Sequence, residues 1–230
     1  LLGAPTTSGA GPYTHTFEPS ADSPSVTLES GFTDISRFHV FNGIKVNRFS
    51  ATFEVDTELT AEIDLLGGKE LASSGTTLDA SPVEQTITRF NAKNVTLKEA
   101  GSPLAICKSV TVNIDQGLAD DVFTLNSGGF RYSLPEGKMM ISGTANLLFL
   151  DSTYPDKAIA GTETSLEIEC TQGAHTLTIT LPEVKFKRKP ITRDGWGPMY
   201  FEMEWKAYYQ NNAAGVPITV ELVNDVTDYA

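Results

Sequence analysis

Hydrophobic and polar residues alternate from Phe49 to Leu65, and this pattern predicts the central element of the fold. Successive side chains of a strand point to opposite faces, so each alternating run has one apolar and one polar face. A polar turn at residues 56–58 separates two such runs, which predicts an antiparallel hairpin. We expect its large apolar side chains to enter the core: Phe49, Phe53, Val55, Leu59, Ile63 and Leu65.

The opposite face of this hairpin is polar and acidic, and it carries Ser50, Thr52, Glu54, Asp56, Thr60, Glu62 and Asp64. A one-residue slip in strand pairing would exchange the two faces, so burial of the apolar face fixes the register. The paired acids have two interpretations. A carboxylate couple of the glycosidase kind is one, and an ordinary solvated strand face is the interpretation that the pattern favours.

Further alternating runs follow along the chain, at 109–115, 138–149, 165–171, 176–181, 201–207 and 218–223. About nine short strands separated by turn residues predict an antiparallel β-sandwich or barrel. One short flanking helix is expected before Gly161, which supplies a C-cap. The fold class is therefore mainly β, and residues 1–230 are expected to form a single domain.

Three segments lack a clear strand pattern. Residues 1–30 are rich in Gly, Pro, Ser and Thr and predict an extended arm, with short strands near 14–17 and 25–28. Residues 71–103 and 182–200 predict long loops, which in a compact domain are usually functional or lie at an interface. The dipeptide Asn42-Gly43 predicts a hairpin turn at the end of a strand over 37–45.

The charge balance excludes several classes of partner. The net charge is −12, whereas phosphate binding requires clustered Lys and Arg, so a general nucleic-acid binder and an anionic membrane surface are both disfavoured. Apolar runs fall short of the ~18 residues of a membrane span, and the first residues do not resemble a signal peptide. Cys107 and Cys170 are the two cysteines. Cys170 is expected to be a buried thiol, which is typical of a cytoplasmic protein.

Patterns of catalytic chemistry are not found in the sequence. His15, His39 and His175 lie far apart, and neither a zinc-ligand spacing nor a nucleotide-binding glycine motif occurs. We therefore expect no enzyme activity, no metal and no cofactor. The basic cluster Lys185, Lys187, Arg188 and Lys189 is either an anion site or, as we favour, a charged loop that contacts an acidic neighbour.

Eight short motifs in order resemble the tail tube proteins of long-tailed phages. They span nearly the whole chain, and each is weak alone but specific in this order: YTHTF at 13–17, PSVTLE at 24–29, GFTD at 31–34, FNGIKVN at 41–47, DLLGGKE at 64–70, VTVNID at 110–115, GTETSLE at 161–167 and LPEVKF at 181–186.

The resemblance implies a structural virion protein without catalytic residues. Its β-sandwich is expected to form hexameric rings that stack into a tube, with the inner strands joined into one barrel through which DNA leaves the capsid. The polar face of the 49–65 hairpin is then expected to line the lumen. The implied partners are the tape measure protein and DNA inside the tube, and tail terminator and distal tail proteins at its ends. Assembly is expected in the host cytoplasm.

The segments 1–30, 71–103 and 182–200 are expected to become ordered against neighbouring subunits. Within the last one, we expect Arg188, Lys189, Arg193 and Trp196 to make contacts, because a large aromatic between glycines is costly to expose. The sequence is also compatible with two alternatives. One is the tube protein of a related contractile or secretion system, and the other is a carbohydrate-binding β-sandwich.

Overall fold

The computed structural model describes residues 1–20, 23–84, 89–190, 197–209 and 215–229. Fourteen strands, one α-helix and one short 3₁₀ helix, at Ala92–Asn94, occur in this part of the chain. The elements are β1 (Thr6–Ser8), β2 (Tyr13–Phe17), β3 (Val26–Phe32), β4 (Arg37–Glu54), β5 (Thr60–Leu66), β6 (Lys69–Glu70), β7 (Val95–Glu99), β8 (Ser102–Pro103), β9 (Cys107–Asp115), β10 (Met140–Leu148), α1 (Thr153–Ala160), β11 (Glu163–Gln172), β12 (His175–Phe186), β13 (Tyr200–Ala207) and β14 (Thr219–Asn224).

The strands form two packed layers, as the predicted antiparallel sandwich requires. The front sheet has the order β5-β4-β9-β10-β13, with every neighbouring pair antiparallel. The back sheet has the order β8-β7-β11-β12-β14-β2-β1. Residues 184–186 of β12 also pair with β13, so hydrogen bonding continues from one layer into the other. The mainly β fold with one short helix is confirmed.

The core lies between the two sheets and follows the alternation in the sequence. The buried residues of the front sheet include Ala51, Phe53, Val110, Val112, Ile114, Ile141, Ala145, Leu147, Met203 and Trp205. Those of the back sheet include Leu97, Leu166, Ile168, Cys170, Ile179 and Leu181. Cys170 is buried and Cys107 is half-buried, and both are free thiols, so the expected buried thiol is confirmed.

Trp205 is the largest fully buried side chain, and its position depends on Gly143 of the neighbouring strand. A Cβ at Gly143 would lie 1.9 Å from the carbonyl oxygen of Thr111 and 2.3 Å from the Trp205 ring. Real Cβ atoms do not approach a backbone oxygen so closely, so only glycine leaves room for the indole here. Strands β9, β10 and β13 therefore meet at one tightly packed point.

Helix α1 is the predicted short helix, and it ends at Gly161 in the left-handed conformation. An ion pair attaches it to the back sheet, because Lys157 Nζ lies 2.7 Å from Glu99 Oε1. The Thr164 hydroxyl also donates to this carboxylate. Glu99 is 7% exposed, so both partners compensate a carboxylate that is largely removed from water.

The first half of β4 extends beyond the sandwich as part of a hairpin with β3. The prediction of a turn at Asn42-Gly43 is wrong, because β4, which is 18 residues long, continues through these two residues without a break. Gly43 has φ 65°, and the register against β3 shifts at this point because Val26 pairs with Ile44 whereas Leu28 pairs with Phe41. The left-handed glycine thus forms a β-bulge, which bends a strand without ending it.

Two of the segments predicted as loops contribute strands. Within 71–103, β7 is a full member of the back sheet, and its Leu97 is buried. In 182–200, β12 runs through Pro182 to Phe186, and Val184 and Phe186 are buried. Both segments look polar or irregular in sequence, but the sheet on which they lie supplies the hydrogen bonds and apolar contacts that make them strands. The N-terminal segment likewise contributes β1, β2 and β3.

The predicted hairpin of β4 and β5 is confirmed, and it pairs apolar with apolar and polar with polar positions, with Phe49 opposite Ile63 and Ser50 opposite Glu62. Phe53 is buried, and Phe49 and Leu59 pack against the core. The expectation that Val55, Ile63 and Leu65 enter the core is wrong, because they are 54%, 54% and 44% exposed. Strand β5 is the edge of the front sheet, and the described back sheet does not cover it in the single chain.

Substituting Gly143→Ala is expected to lower the free energy of unfolding by about 3 kcal/mol, because the new methyl group must displace the Trp205 ring or the β9 backbone. Chemical denaturation followed by tryptophan fluorescence measures the change. Gly67→Ala is the control, since a Cβ there would meet Ile44 at an ordinary 3.8 Å. Equal stability of the two variants would contradict this packing argument.

Candidate functional site: the polar face of the front sheet

The surface of the front sheet that faces away from the core is a continuous polar face. Cross-strand pairing aligns its side chains in rows. One row consists of Glu62, Ser50, Asn113, Ser142 and Lys206. The next consists of Thr60, Thr52, Thr111, Thr144 and Glu204. The polar face, as defined by these rows and the charged residues that flank them, crosses all five strands of the front sheet.

The centre of the polar face is neutral. Ser50 donates to Asn113 Oδ1 at 2.7 Å, and the hydroxyl groups of Thr111 and Thr144 are 2.7 Å apart. These short side chains are half-buried between their neighbours and satisfy one another. Cross-strand Thr and Ser pairs of this kind stabilise a sheet without presenting a charge.

At one end of the polar face, Arg48 lies between two carboxylates. Its guanidinium lies 3.0 Å from Asp115 and 3.9 Å from Asp64. The backbone N–H of Gly117 donates to Asp115, and this bond together with Arg48 lowers the pKa of the Asp115 carboxyl. Hydrogen bonding to Asp115 raises the pKa of Arg48. Arg48 is thus engaged by its own chain.

Charges at the other end are also paired. Lys187 Nζ lies 2.7 Å from Glu204, and Lys189 Nζ lies 2.7 Å from Glu202. The Lys187 ammonium lowers the pKa of Glu204, first through its hydrogen bond. Lys108 lies 3.8 Å from Glu54. Most cations near the polar face are therefore compensated by its own carboxylates.

The structure brings together six of the seven residues predicted for this surface. Ser50, Thr52, Glu54, Thr60, Glu62 and Asp64 follow the polar register of β4 and β5. Asp56 lies instead in the turn between these strands, with φ 65°. Whether the surface faces a lumen remains a prediction.

Sequence reasoning did not assign the rest of the polar face. Thr111, Asn113, Ser142, Thr144, Glu202 and Glu204 alternate with core residues on β9, β10 and β13. The alternation was visible in the sequence, but the pairing of distant strands was not. Strand order is what combines these separate polar edges into one surface.

Of the predicted contact residues, the structure describes Arg188 and Lys189. Both are exposed, and Lys189 forms its ion pair with Glu202 of β13. Arg193 and Trp196 lie outside the described residues. The interpretation from the sequence is that this cluster contacts an acidic neighbour. For Lys187 and Lys189, the structure provides acidic partners within the same chain.

The described ranges offer little support for a metal site, a reactive thiol or a membrane-spanning helix. They contain no cluster of three or more His, Cys, Asp or Glu side chains that suits a metal ion. Burial raises the pKa of Cys107 to about 11 and that of Cys170 to about 12, so both remain thiols at neutral pH. No helix among the described residues has the length and apolar character that crossing a membrane requires.

A comparison with protein families matches residues 1–219 to the model described as phage tail tube protein. No individual curated protein gives a significant match. The matched range includes every strand of the front sheet, and with them the whole polar face.

Substituting Asp115→Asn is expected to destabilise the protein by about 1 kcal/mol at pH 7, a small value because the ion pair is partly solvated. A carboxyl with a lowered folded-state pKa stabilises fully above its unfolded value of ~3.9, and this contribution is lost as the pH falls through the folded pKa. The stability difference between the variant and the wild type should therefore shrink as the pH falls below ~3.9. Denaturation midpoints between pH 2 and 7 measure this, and a constant difference at every pH would contradict it.

Proposed function

The chain belongs to the phage tail tube protein family, and from this premise we propose that its copies form hexameric rings that stack into a tube, whose lumen conducts DNA from capsid to host. The protein is a structural component of the virion tail, and the family is one of structural rather than catalytic proteins. The observation that carries the proposal is the polar face, which spans every strand of the front sheet.

A lumen for DNA needs a surface that does not bind phosphate, because each cation–phosphate contact adds affinity and slows movement. The polar face suits this requirement. Its centre presents hydroxyl and amide groups, and its flanks carry the carboxylates Glu54, Glu62 and Asp64. Two cations lie beside these carboxylates: Arg48 is engaged by Asp115 and Asp64, and Lys108 lies 3.8 Å from Glu54. DNA would meet a neutral centre with carboxylates along the β5 edge, while Lys206 lies at the β13 edge beside Glu204.

Ring formation has a structural basis at β5. This strand pairs only with β4 among the described strands, so its outer edge has unpaired backbone groups. An open edge invites a strand from another chain, and joining the front sheets around a ring removes it. The exposed Ile63 and Leu65 next to this edge would be buried by the same contact. We propose β5 as a contact within the ring.

The remaining contacts and partners follow from the same proposal. Arg188, Lys189, Arg193 and Trp196 are proposed to contact neighbouring subunits. The tape measure protein and then DNA would occupy the lumen, and tail terminator and distal tail proteins would bind the tube ends. Assembly would take place in the host cytoplasm.

The family match favours a tube over a carbohydrate-binding module, and it names a phage tail rather than a secretion system. A carbohydrate-binding module would remain monomeric and would bind immobilised glycans. A secretion tube would form similar rings but would not occur in DNA-ejecting particles. Electron microscopy of the purified protein and of phage particles separates these cases.

The double variant Ile63→Asp and Leu65→Asp is expected to remain folded but to form few or no rings, because the two side chains are already exposed in the single chain. Negative-stain microscopy and sedimentation measure assembly, with the wild type forming rings and tubes. Ile159→Asp on α1 is the control, since Ile159 is 61% exposed. Normal rings from the double variant would exclude β5 as the contact, and a wild type that is always monomeric would refute the hexamer.

The triple variant Glu54→Lys, Glu62→Lys and Asp64→Lys tests whether these carboxylates line the proposed lumen. We expect tubes to assemble, since the six copies no longer crowd carboxylates, but DNA ejection to become several-fold slower and to recover with added salt. The control carries Lys at Glu18, Glu84 and Glu221, which are exposed elsewhere. Wild-type ejection rates for the triple variant at low and moderate salt would contradict an acidic lumen.

A further inference from the structure

The arm formed by the β3–β4 hairpin and residues 69–79 exposes large apolar side chains near its tip. Phe32 is 53% exposed and Ile35 is 63% exposed, on either side of Asp34. Residues of 69–79 stiffen the arm, because Phe38 bridges to Ser74, and Glu29 accepts hydrogen bonds from Thr77 and from the backbone of Leu78. A rigid projection with an apolar tip typically marks a protein contact.

A groove of about 300 Å³ lies at the opposite end of β4. Its floor is apolar and includes the buried side chains of Phe53, Leu97 and Leu104. Val55, which is 54% exposed, and Lys108 stand at its rim. The volume is at the lower limit of the ~300–1,000 Å³ of typical binding pockets, which suits one or two apolar side chains.

The arm tip and the groove cannot meet within one chain. Both adjoin the ends of the same strand, and 18 residues span up to about 60 Å at ~3.3 Å per residue. A projection at one end and a matching cavity at the other make a heterologous contact, in which each copy binds the next in the same orientation. Such a contact, when directed along the axis of a stack of rings, repeats from each ring to the next.

The charges beside the tip and the groove are complementary. The tip carries Asp34 and Arg37, both exposed, and neither forms an ion pair within the described residues. The groove rim carries Lys108 and Glu54, which are a loose pair at 3.8 Å. An incoming tip would provide each of these rim charges with an opposite charge, which fixes the orientation of docking more than it adds affinity.

We propose that the arm of one copy docks in the groove of a copy in the next ring, with Phe32 and Ile35 against its apolar floor and Asp34 beside Lys108. The proposal rests on the proposed stacking of rings and identifies the surfaces that hold successive rings together. It assigns the arm and the groove as the two halves of one axial contact, separate from the contact at β5.

Disulfide trapping tests this contact directly. In a Cys107→Ser background, Ile35→Cys and Ala105→Cys place one thiol at the tip and one beside the groove. Oxidation of assembled tubes should yield a ladder of covalent oligomers on non-reducing gels, whereas Ile35→Cys combined with Ile159→Cys should yield none. Tubes that assemble with the first pair but give no ladder would overturn the proposal while leaving the tube function intact.

A charge exchange provides an independent test. Asp34→Lys and Lys108→Asp should each shorten or abolish tubes while single rings persist, and the double variant should restore tubes. A twofold weakening of each contact becomes about 60-fold for a ring that makes six of them. Single variants that form tubes of wild-type length would overturn the proposal, and a wild type that forms neither rings nor tubes would overturn it together with the proposed function.

Discussion

The burial of one face of the front sheet against the back sheet is the interaction on which the other features depend. Trp205 fills the space above Gly143, and the alternating residues of β4, β9 and β10 complete this layer. Side chains alternate along a strand, so fixing the apolar face also fixes the opposite one. The polar rows of Ser, Thr and Asn are therefore a geometric consequence of the core.

Strand β4 connects the features that we assign to assembly. Its second half lies between β5 and β9 in the front sheet, and its first half forms the arm with β3. A bulge at Gly43 permits both roles, because an extra residue bends the strand while hydrogen bonding continues. The open edge, the polar face and the arm are thus connected by one strand, which suits the proposed contacts with neighbouring copies in two directions.

The charge distribution agrees with this division of surfaces. The net charge of −12 disfavours tight phosphate binding, and Arg48, Lys108, Lys187 and Lys189 near the polar face are paired with carboxylates of the same chain. Lys187 and Lys189 bind Glu204 and Glu202, so two lysines of the basic cluster at 185–189 are compensated within the chain. The proposed passage of DNA requires weak contact with phosphate, and ion pairs within the chain lower the number of free cations without removing every positive residue.

The sequence by itself determined the fold class, the hairpin at 49–65 and the polar and apolar residues of each strand, because these depend on local alternation. Tertiary structure decided which strands are neighbours, and so joined Thr52, Thr111 and Thr144 into one row. It also decided that Asn42-Gly43 forms a bulge and that residues 95–99 form a strand of the back sheet. At both places, pairing with neighbouring strands outweighs the local preference for a turn or a loop. Ile63 and Leu65 fit the core pattern but lie at an edge. Alternation specifies which side of a strand is apolar, whereas only the position of the strand in the sheet decides whether another layer covers it.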